Sequence, residues 1–146
     1  MNVIYTADAL ATGAGRDGHV RTPDGVLDLD LAVPKEMGGA GGAGGAGGAA
    51  NPELLFAAGY AACFHSALQM VAREAKASLG DSSVGARVGI GPNDAGGFGL
   101  AVTLEVVVPD LPHEQAQQLA DRAHEVCPYS NATRGNVDVT VTVVED

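Results

Sequence analysis

Cys63 and Cys127 are the two cysteines of this chain, and they are the residues best suited to chemistry. Cys63 lies in the middle of a long apolar stretch, and Cys127 closes a polar one just before Pro128-Tyr129-Ser130-Asn131, where a thiol would be partly accessible. Two are too few for a disulfide scaffold in a chain that can build its own core. Either alone reads equally well as an inert small hydrophobe. Together they allow a reactive thiol with a resolving partner, because a sulfenic acid condenses with a second thiol to a disulfide.

The other chemistry open to these residues is metal binding, with His124 three positions before Cys127 and His65 two after Cys63. The first pair shares a helical face, but the second lies about 200° apart around a helix and cannot chelate together. Zinc wants four ligands. The spacing therefore predicts no metal site, and His19, His65, His113 and His124 read as packing or surface residues. A Cys–His hydrolase needs an imidazole within reach of the thiol, and nothing local supplies one.

For Cys63 to react at neutral pH, a fixed cation must offset the desolvation that raises a buried thiol's pKa. Arg21 is a candidate in a chain with only eight Lys and Arg, although a solvated hairpin arginine fits the same position. Glu53 could hold that guanidinium by bidentate pairing, or it could merely favour a helix N-terminus. Glu53 and Cys63 are ten residues apart, about 15 Å along a helix and roughly 80° around it. Both can act at one thiol only if the helix bends or if Glu53 comes from a second copy of the chain.

The elements that must position these residues are legible in the patterning. Asn2 to Ala9 has strand composition, Thr12 to Gly18 reads as a turn, and His19 to Thr22 as a second strand. Pro23-Asp24-Gly25 turns the chain into Val26 to Leu31, which alternates apolar with acidic residues as a half-buried strand does. Residues 38–48 repeat Gly-Gly-Ala and read as a flexible loop. Asn51 as N-cap, Pro52 at N1 and Glu53 in the first turn open a helix that runs to about Ser78 and is apolar nearly all round. Val84 to Gly91 and Phe98 to Val108 are strands about the turn Pro92 to Gly97. His113 to Val126 is an amphipathic helix ended by Cys127-Pro128, and Val137 to Val143 alternates as the last strand. The order is β-β-β-α-β-β-α-β, an α+β chain. Its first long helix wants cover on every side, which predicts a homodimer with that helix at or near the interface.

Composition limits what such a chain does. Its 146 residues suit one domain spanning 1–146, and 46% hydrophobic against 18% charged residues predicts extensive burial. With three Phe, three Tyr and no Trp, the core must be mostly Ala, Val and Leu. A net charge of -10 argues against nucleic acid as a partner. Leu54 to Ala72 is long enough to raise the question of a membrane, but Tyr60, His65, Ser66 and Gln69 interrupt it, and a buried core helix is the better reading. Met1 to Thr12 lacks the pattern of a secretory signal, so the expected location is the cytoplasm. Gly39-Ala40-Gly41-Gly42-Ala43-Gly44 matches a dinucleotide fingerprint by letter only, since Pro34 to Met37 separate it from the strand and the Asn51 cap comes seven positions after Gly44.

Two strings carry a family resemblance. Asn-Pro-Glu-Leu-Leu-Phe-Ala-Ala-Gly-Tyr-Ala-Ala-Cys-Phe-His-Ser-Ala-Leu from Asn51 to Leu68, with Val-Cys-Pro-Tyr-Ser-Asn-Ala-Thr-Arg-Gly-Asn from Val126 to Asn136, closely resembles the organic hydroperoxide resistance proteins. These form one branch of the superfamily that includes the osmotically inducible protein C. The resemblance extends over the chain, including Gly18-His19-Val20-Arg21 and Asp28-Leu29-Asp30-Leu31. It implies an OsmC-like fold, an intertwined homodimer with sheets wrapped around central helices and two active sites at the subunit interface. It further implies a thiol peroxidase: Cys63 peroxidatic, Cys127 resolving, Arg21 and Glu53 activating the thiolate and orienting an organic hydroperoxide. The implied reductant is a dithiol, the dihydrolipoyl group of lipoylated proteins, with no bound metal, haem or flavin. The Gly-Gly-Ala tract is longer than a typical member's loop. Two rival readings use the same residues: a module that binds a lipid-like ligand in an apolar cavity, and a redox sensor that uses the disulfide as a signal.

Overall fold

The computed structural model describes residues 1–41 and 48–145. Most of the Gly-Gly-Ala tract expected as a loop over 38–48 thus lies outside the described residues, at 42–47. The chain divides into two compact units, Met1–Leu55 and Phe56–Asp146.

In the first unit, β1 (Leu10–Thr12), β2 (His19–Arg21) and β3 (Asp28–Asp30) form an antiparallel sheet in that order. The strand expected over Asn2 to Ala9 is absent, and pairing starts only at Leu10 opposite Arg21. The reason lies in the partner. Strand β2 ends at Arg21, where Thr22 and Pro23 begin the next turn, so residues before Leu10 have no ladder to join. That turn is closed by side chains: the Thr22 hydroxyl donates to Asp24 at 2.6 Å, and the Leu27 amide donates back to Thr22 Oγ1 at 3.1 Å. It takes up Val26 and Leu27, which the alternation had assigned to β3. After β3 the chain forms a parallel bridge between Leu31 and Ala50, with the Ala32 amide donating to the Ala50 carbonyl at 3.0 Å. This return delivers Asn51, whose Oδ1 accepts the Leu54 amide at 2.8 Å, the N-cap expected for the long helix.

That helix, α1 (Pro52–Glu74), is shorter than expected by one turn. Its last carbonyls are satisfied by the Lys76 amide on Arg73 and the Ala77 amide on Ala72, with Lys76 at a positive φ of 56°. This is a Schellman stop with lysine where glycine is usual.

The second unit contains β4 (Ser83–Pro92), β5 (Phe98–Val107), α2 (His113–Val126), α3 (Pro128–Thr133) and β6 (Asp138–Val143). Strand β5 is central, antiparallel to β4 and parallel to β6. A parallel neighbour requires a crossover, which α2 and α3 supply. The core is Val102, Leu104 and Val106 of β5, Ala116, Leu119, Ala120 and Ala123 of α2, and Tyr60, Phe64, Leu68 and Val71 of α1. Losing a buried leucine side chain such as Leu68 costs about 2–5 kcal/mol by transfer and cavity terms. The observed order is the expected one with a short helix, α3, added. Pro128 ends α2 and at the same time opens α3, since proline's fixed φ suits the first helical position.

Helix α1 is long and apolar enough to cross a membrane by length and composition. In the fold it buries Tyr60, Phe64, Ala67, Leu68, Val71 and Ala72 and leaves Leu54, Ala58, Ala62, Ser66 and Met70 exposed. The exposed set recurs every four residues, so it forms one stripe of small and apolar side chains. Among the described residues, the cover expected on every side is therefore not supplied to this stripe.

The β2–β3 pair generates a pH dependence. The His19 ring lies between two carboxylates, Nδ1 2.8 Å from Asp30 Oδ1 and Nε2 2.5 Å from Asp28 Oδ1. Asp30 and then Asp28 raise the imidazole's pKa above its ordinary value. A raised histidine stabilises the fold below the unfolded value of about 6.5, and that contribution fades as pH climbs through the higher folded value. Titration of the His19 ring by NMR is expected to show a midpoint above the ordinary one, and Asp30→Asn to lower it; an ordinary midpoint in the parent protein refutes the double pairing.

Candidate active site

Glu53 does meet an arginine, but that arginine is Arg16. The Arg16 guanidinium holds Glu53 in a bidentate pair, Nη2 donating to Oε1 at 2.7 Å and Nη1 to Oε2 at 2.9 Å. Arg21, expected in this role, is an exposed β2 residue opposite Asp28. Local structure explains the exchange. Gly15–Asp17 forms a single 3-10 turn between β1 and β2. A Cβ on Gly18 would collide with the Thr12 carbonyl oxygen, so only glycine lets the chain turn here. Asp17 Oδ1 accepts the Val33 amide at 3.0 Å, and the Leu31 amide donates to the Gly18 carbonyl at 2.8 Å. These bonds fix the turn against the segment that returns to Ala50, and Glu53 follows three residues later in the first turn of α1. The sequence signal was available: an arginine in a glycine-framed turn sits on a loop, where binding residues concentrate, whereas a strand arginine facing an aspartate already has a partner. Arg16 lowers the Glu53 carboxyl's pKa below the ordinary value, against a smaller opposing effect of burial.

Within the second unit the two cysteines come together. Cys63 Sγ and Cys127 Sγ are 3.7 Å apart, both as free thiols. Cys127 is fully buried and Cys63 half-buried, the reverse of the accessibility expected for the helix-end thiol. Cys127 is the N-cap residue of α3 and is buried, where the sequence predicts a partly accessible thiol. Burial pushes the Cys63 thiol up, the Tyr129 backbone N–H opposes that by bonding the sulfur, and Cys127 adds to the rise.

A second set of groups ties α3 to α1. The Tyr60 hydroxyl lies 2.9 Å from Ser130 Oγ and 3.0 Å from Thr133 Oγ1, all three buried. Ser130 Oγ is also 2.8 Å from His124 Nδ1. Arg134 donates to the His124 carbonyl at 2.6 Å and to Asn131 Oδ1 at 2.8 Å. Of these residues only His124 is a candidate for chemistry in the sequence, because hydroxyls at a helix end look like turn chemistry. His65, the other histidine considered for a metal, instead bonds Ser82 Oγ at 3.0 Å.

The ring of Tyr129 packs against Phe56 and Tyr60, with centroids 6.1 and 5.6 Å away. Gly59 makes room for it, since a Cβ there would lie 2.9 Å from the tyrosine oxygen and 3.2 Å from Cε2. On the far side of Tyr129 is a cavity of about 390 Å³ lined by Phe56, Leu100, Tyr129, Ala132 and Val137. Tyr129 therefore touches the Cys63 sulfur with its backbone and the cavity with its ring.

The Arg16–Glu53 pair has a measurable signature. In Arg16→Met the Glu53 carboxyl should titrate higher than in the parent protein, as followed by side-chain carboxyl NMR, whereas Arg21→Met should leave it unmoved. A depressed Glu53 pKa stabilises above the unfolded carboxyl value of about 4.3 and is lost as pH falls through the folded one, so Arg16→Met should also flatten stability at acid pH.

The family described as OsmC-like protein matches residues 44–142. An organic hydroperoxide resistance protein of Xanthomonas axonopodis pv. citri is 53% identical over 142 residues, covering 97% of this chain and 95% of the relative. The crystal structure of an organic hydroperoxide resistance protein from Elizabethkingia anophelis, with crystallant-derived thiocyanate bound, is 50% identical with a TM-score of 0.90 and covers 100% of both chains. The organic hydroperoxide resistance protein OhrB of Bacillus subtilis is 46% identical in structure comparison, with a TM-score of 0.84, covering 97% of this chain and 100% of the other. A match over two thirds of the sequence, joined to near-complete coverage at about half identity, leaves one assignment: this chain belongs to the OsmC-like family, in its organic hydroperoxide resistance branch.

Proposed function

We propose that this protein is a thiol peroxidase that reduces organic hydroperoxides to alcohols and so serves defence against oxidative stress. The observation that carries the reading is the 3.7 Å approach of a half-buried thiol, Cys63, to a fully buried one, Cys127. It is supported by the names of relatives that share about half of the sequence.

In the first step the Cys63 thiolate attacks the distal peroxide oxygen. The O–O bond breaks, the alkoxide leaves and takes up a proton as the alcohol, and Cys63 becomes a sulfenic acid. Cys127 then attacks that sulfur, water departs, and a Cys63–Cys127 disulfide forms, which protects Cys63 from irreversible oxidation. A dithiol restores both thiols by exchange, and the reading assigns this to the dihydrolipoyl group of lipoylated proteins in the cytoplasm, where cysteines are kept reduced.

Cys63 needs a cation, because burial raises its pKa. In the proposed enzyme Arg16, oriented by Glu53, supplies it and stabilises the charge that develops on the peroxide. The ten-position separation of Glu53 and Cys63 along one helix favours a partner as the source, so the working unit is a homodimer of single 1–146 domains in which Arg16 and Glu53 of the partner subunit face Cys63. The exposed α1 stripe from Leu54 to Met70 supports burial of α1 between subunits. The apolar cavity beside Tyr129 favours an alkyl or fatty-acid hydroperoxide over hydrogen peroxide. That cavity also favours a second reading, a lipid-binding module in which the cysteines are bystanders.

Stopped-flow loss of free thiol decides between them. Reduced protein mixed with one equivalent of cumene hydroperoxide should lose both thiols fast, and with hydrogen peroxide slowly; slow loss with both transfers the assignment to the binding module. Cys63→Ser should abolish turnover, and Arg16→Met should lower the rate by about 10²–10³-fold, the usual cost of removing one charge-stabilising donor, while Arg21→Met stays near the parent rate. For assembly, sedimentation should give the mass of two chains, and Ala62→Glu should halve it; a monomeric parent at micromolar concentration refutes the dimer.

A further inference from the structure

We propose that Tyr60, Ser130 and Thr133 are positioning residues for the resolving half of the reaction: a buried hydroxyl clamp that fixes α3 against α1 and so holds Cys127 beside Cys63. The inference rests on the thiol peroxidase reading above and concerns its second step.

The clamp is placed where it can control both sulfurs. Tyr60 is one helical turn before Cys63 on α1, and Ser130 is three residues after Cys127, in the helix that Cys127 opens. The Cys127 amide ends α2 by donating to the Ala123 carbonyl at 2.8 Å, and its carbonyl accepts the Asn131 amide at 2.9 Å to start α3. Cys127 is therefore the joint between two helices. Its side-chain direction follows the placement of α3, a helix of six residues. A helix that short has little stability of its own and depends on tertiary contacts to hold it.

The hydrogen bonds form a directed chain. Thr133 Oγ1 donates to the Ser130 carbonyl at 3.2 Å. Its oxygen is then free to accept from Tyr60, Tyr60 to accept from Ser130, and Ser130 to accept from His124 Nδ1–H. In this arrangement each hydroxyl donates once and no proton is shared, as a buried network requires. Burial, with Arg134 adding to it, lowers the His124 pKa, and in this arrangement its Nδ1 carries the proton that Ser130 Oγ accepts. None of these groups needs to touch the peroxide. They act by preventing the joint from opening.

The chemical step shows why that matters. Thiol and sulfenic acid give a disulfide and water, and the sulfurs must close from 3.7 Å to about 2.05 Å with a restricted dihedral. Held at this distance, the step is intramolecular and competes well against a second peroxide, which would carry the sulfenic acid on to sulfinic acid. If α3 swings away, that competition is lost.

The test compares the parent protein with Tyr60→Phe, Thr133→Val and Thr133→Ser, each reduced and mixed with cumene hydroperoxide. Oxidation of Cys63 and formation of the disulfide are timed separately by quenched-flow mass spectrometry. In Tyr60→Phe and Thr133→Val the disulfide step should slow about tenfold or more relative to oxidation, since small misplacements of reacting atoms carry such costs. Sulfinic acid at Cys63 should accumulate under excess peroxide, and Thr133→Ser, which keeps the hydroxyl, should restore the parent ratio. A parent ratio in both Tyr60→Phe and Thr133→Val overturns the clamp. If Tyr60→Phe fails to fold, Thr133→Val against Thr133→Ser decides alone. A parent protein that forms no disulfide with the peroxide overturns the thiol peroxidase reading itself, which is a distinguishable result.

Discussion

A thiol buried in an apolar helix is held in its protonated, unreactive form, and this desolvation of Cys63 is the constraint to which the rest of the molecule answers. Complete exposure would remove the penalty, but it would also admit water and polar peroxides to the sulfur. The fold keeps the thiol half-buried. The Tyr129 amide reaches the sulfur at the start of α3, and Arg16 is held as a rigid fork by Glu53. A bidentate arginine loses little further freedom when it meets a charged group, so its orientation is settled before any substrate arrives. In the proposed dimer these two devices act on one sulfur.

Helix α1 carries three duties that different faces keep apart. Its buried stripe, from Tyr60 through Phe64 and Leu68, is core for the second unit. Its first turn carries Glu53, and its exposed stripe from Leu54 to Met70 is made of residues small or apolar enough to pack on another surface. Cys63 sits at the edge of the buried stripe. That position sets its intermediate exposure and brings it within reach of Cys127, which lies wholly inside the core. A thiol with no exposure is shielded from oxidants in solvent, so of the two sulfurs Cys63 is the one they can reach.

The polar groups of the second unit repeat this economy. Tyr60, Ser130 and Thr133 are buried, yet every hydroxyl has a partner, so they cost the fold little while fixing one arrangement of α3 against α1. Replacing such a set with apolar residues could preserve the core and lose the alignment. Gly59 belongs to the same design, since its missing side chain is what allows the Tyr129 ring to lie close against α1.

Patterns that depend on near neighbours were legible in the sequence. The Asn51-Pro52-Glu53 helix start, the apolar faces of α1 and α2, and the alternation of β4, β5 and β6 are all local, and each appears in the fold. Readings that needed to know what lies opposite failed. The strand over Asn2 to Ala9 had suitable residues but no partner beyond Arg21, and a strand does not exist without its ladder. Arg21 had the right type for pairing with Glu53, but the Leu31–Ala50 bridge brings Glu53 to the turn that carries Arg16. Helix α3 was hidden because Pro128 was read only as an end. Sequence alone thus determined most of the elements and the α+β class, since propensity, capping and periodicity act within a few residues. Tertiary structure alone decided which arginine meets Glu53, which thiol is buried, and how the hydroxyls join α3 to α1, because those depend on contacts between segments as far as 73 residues apart.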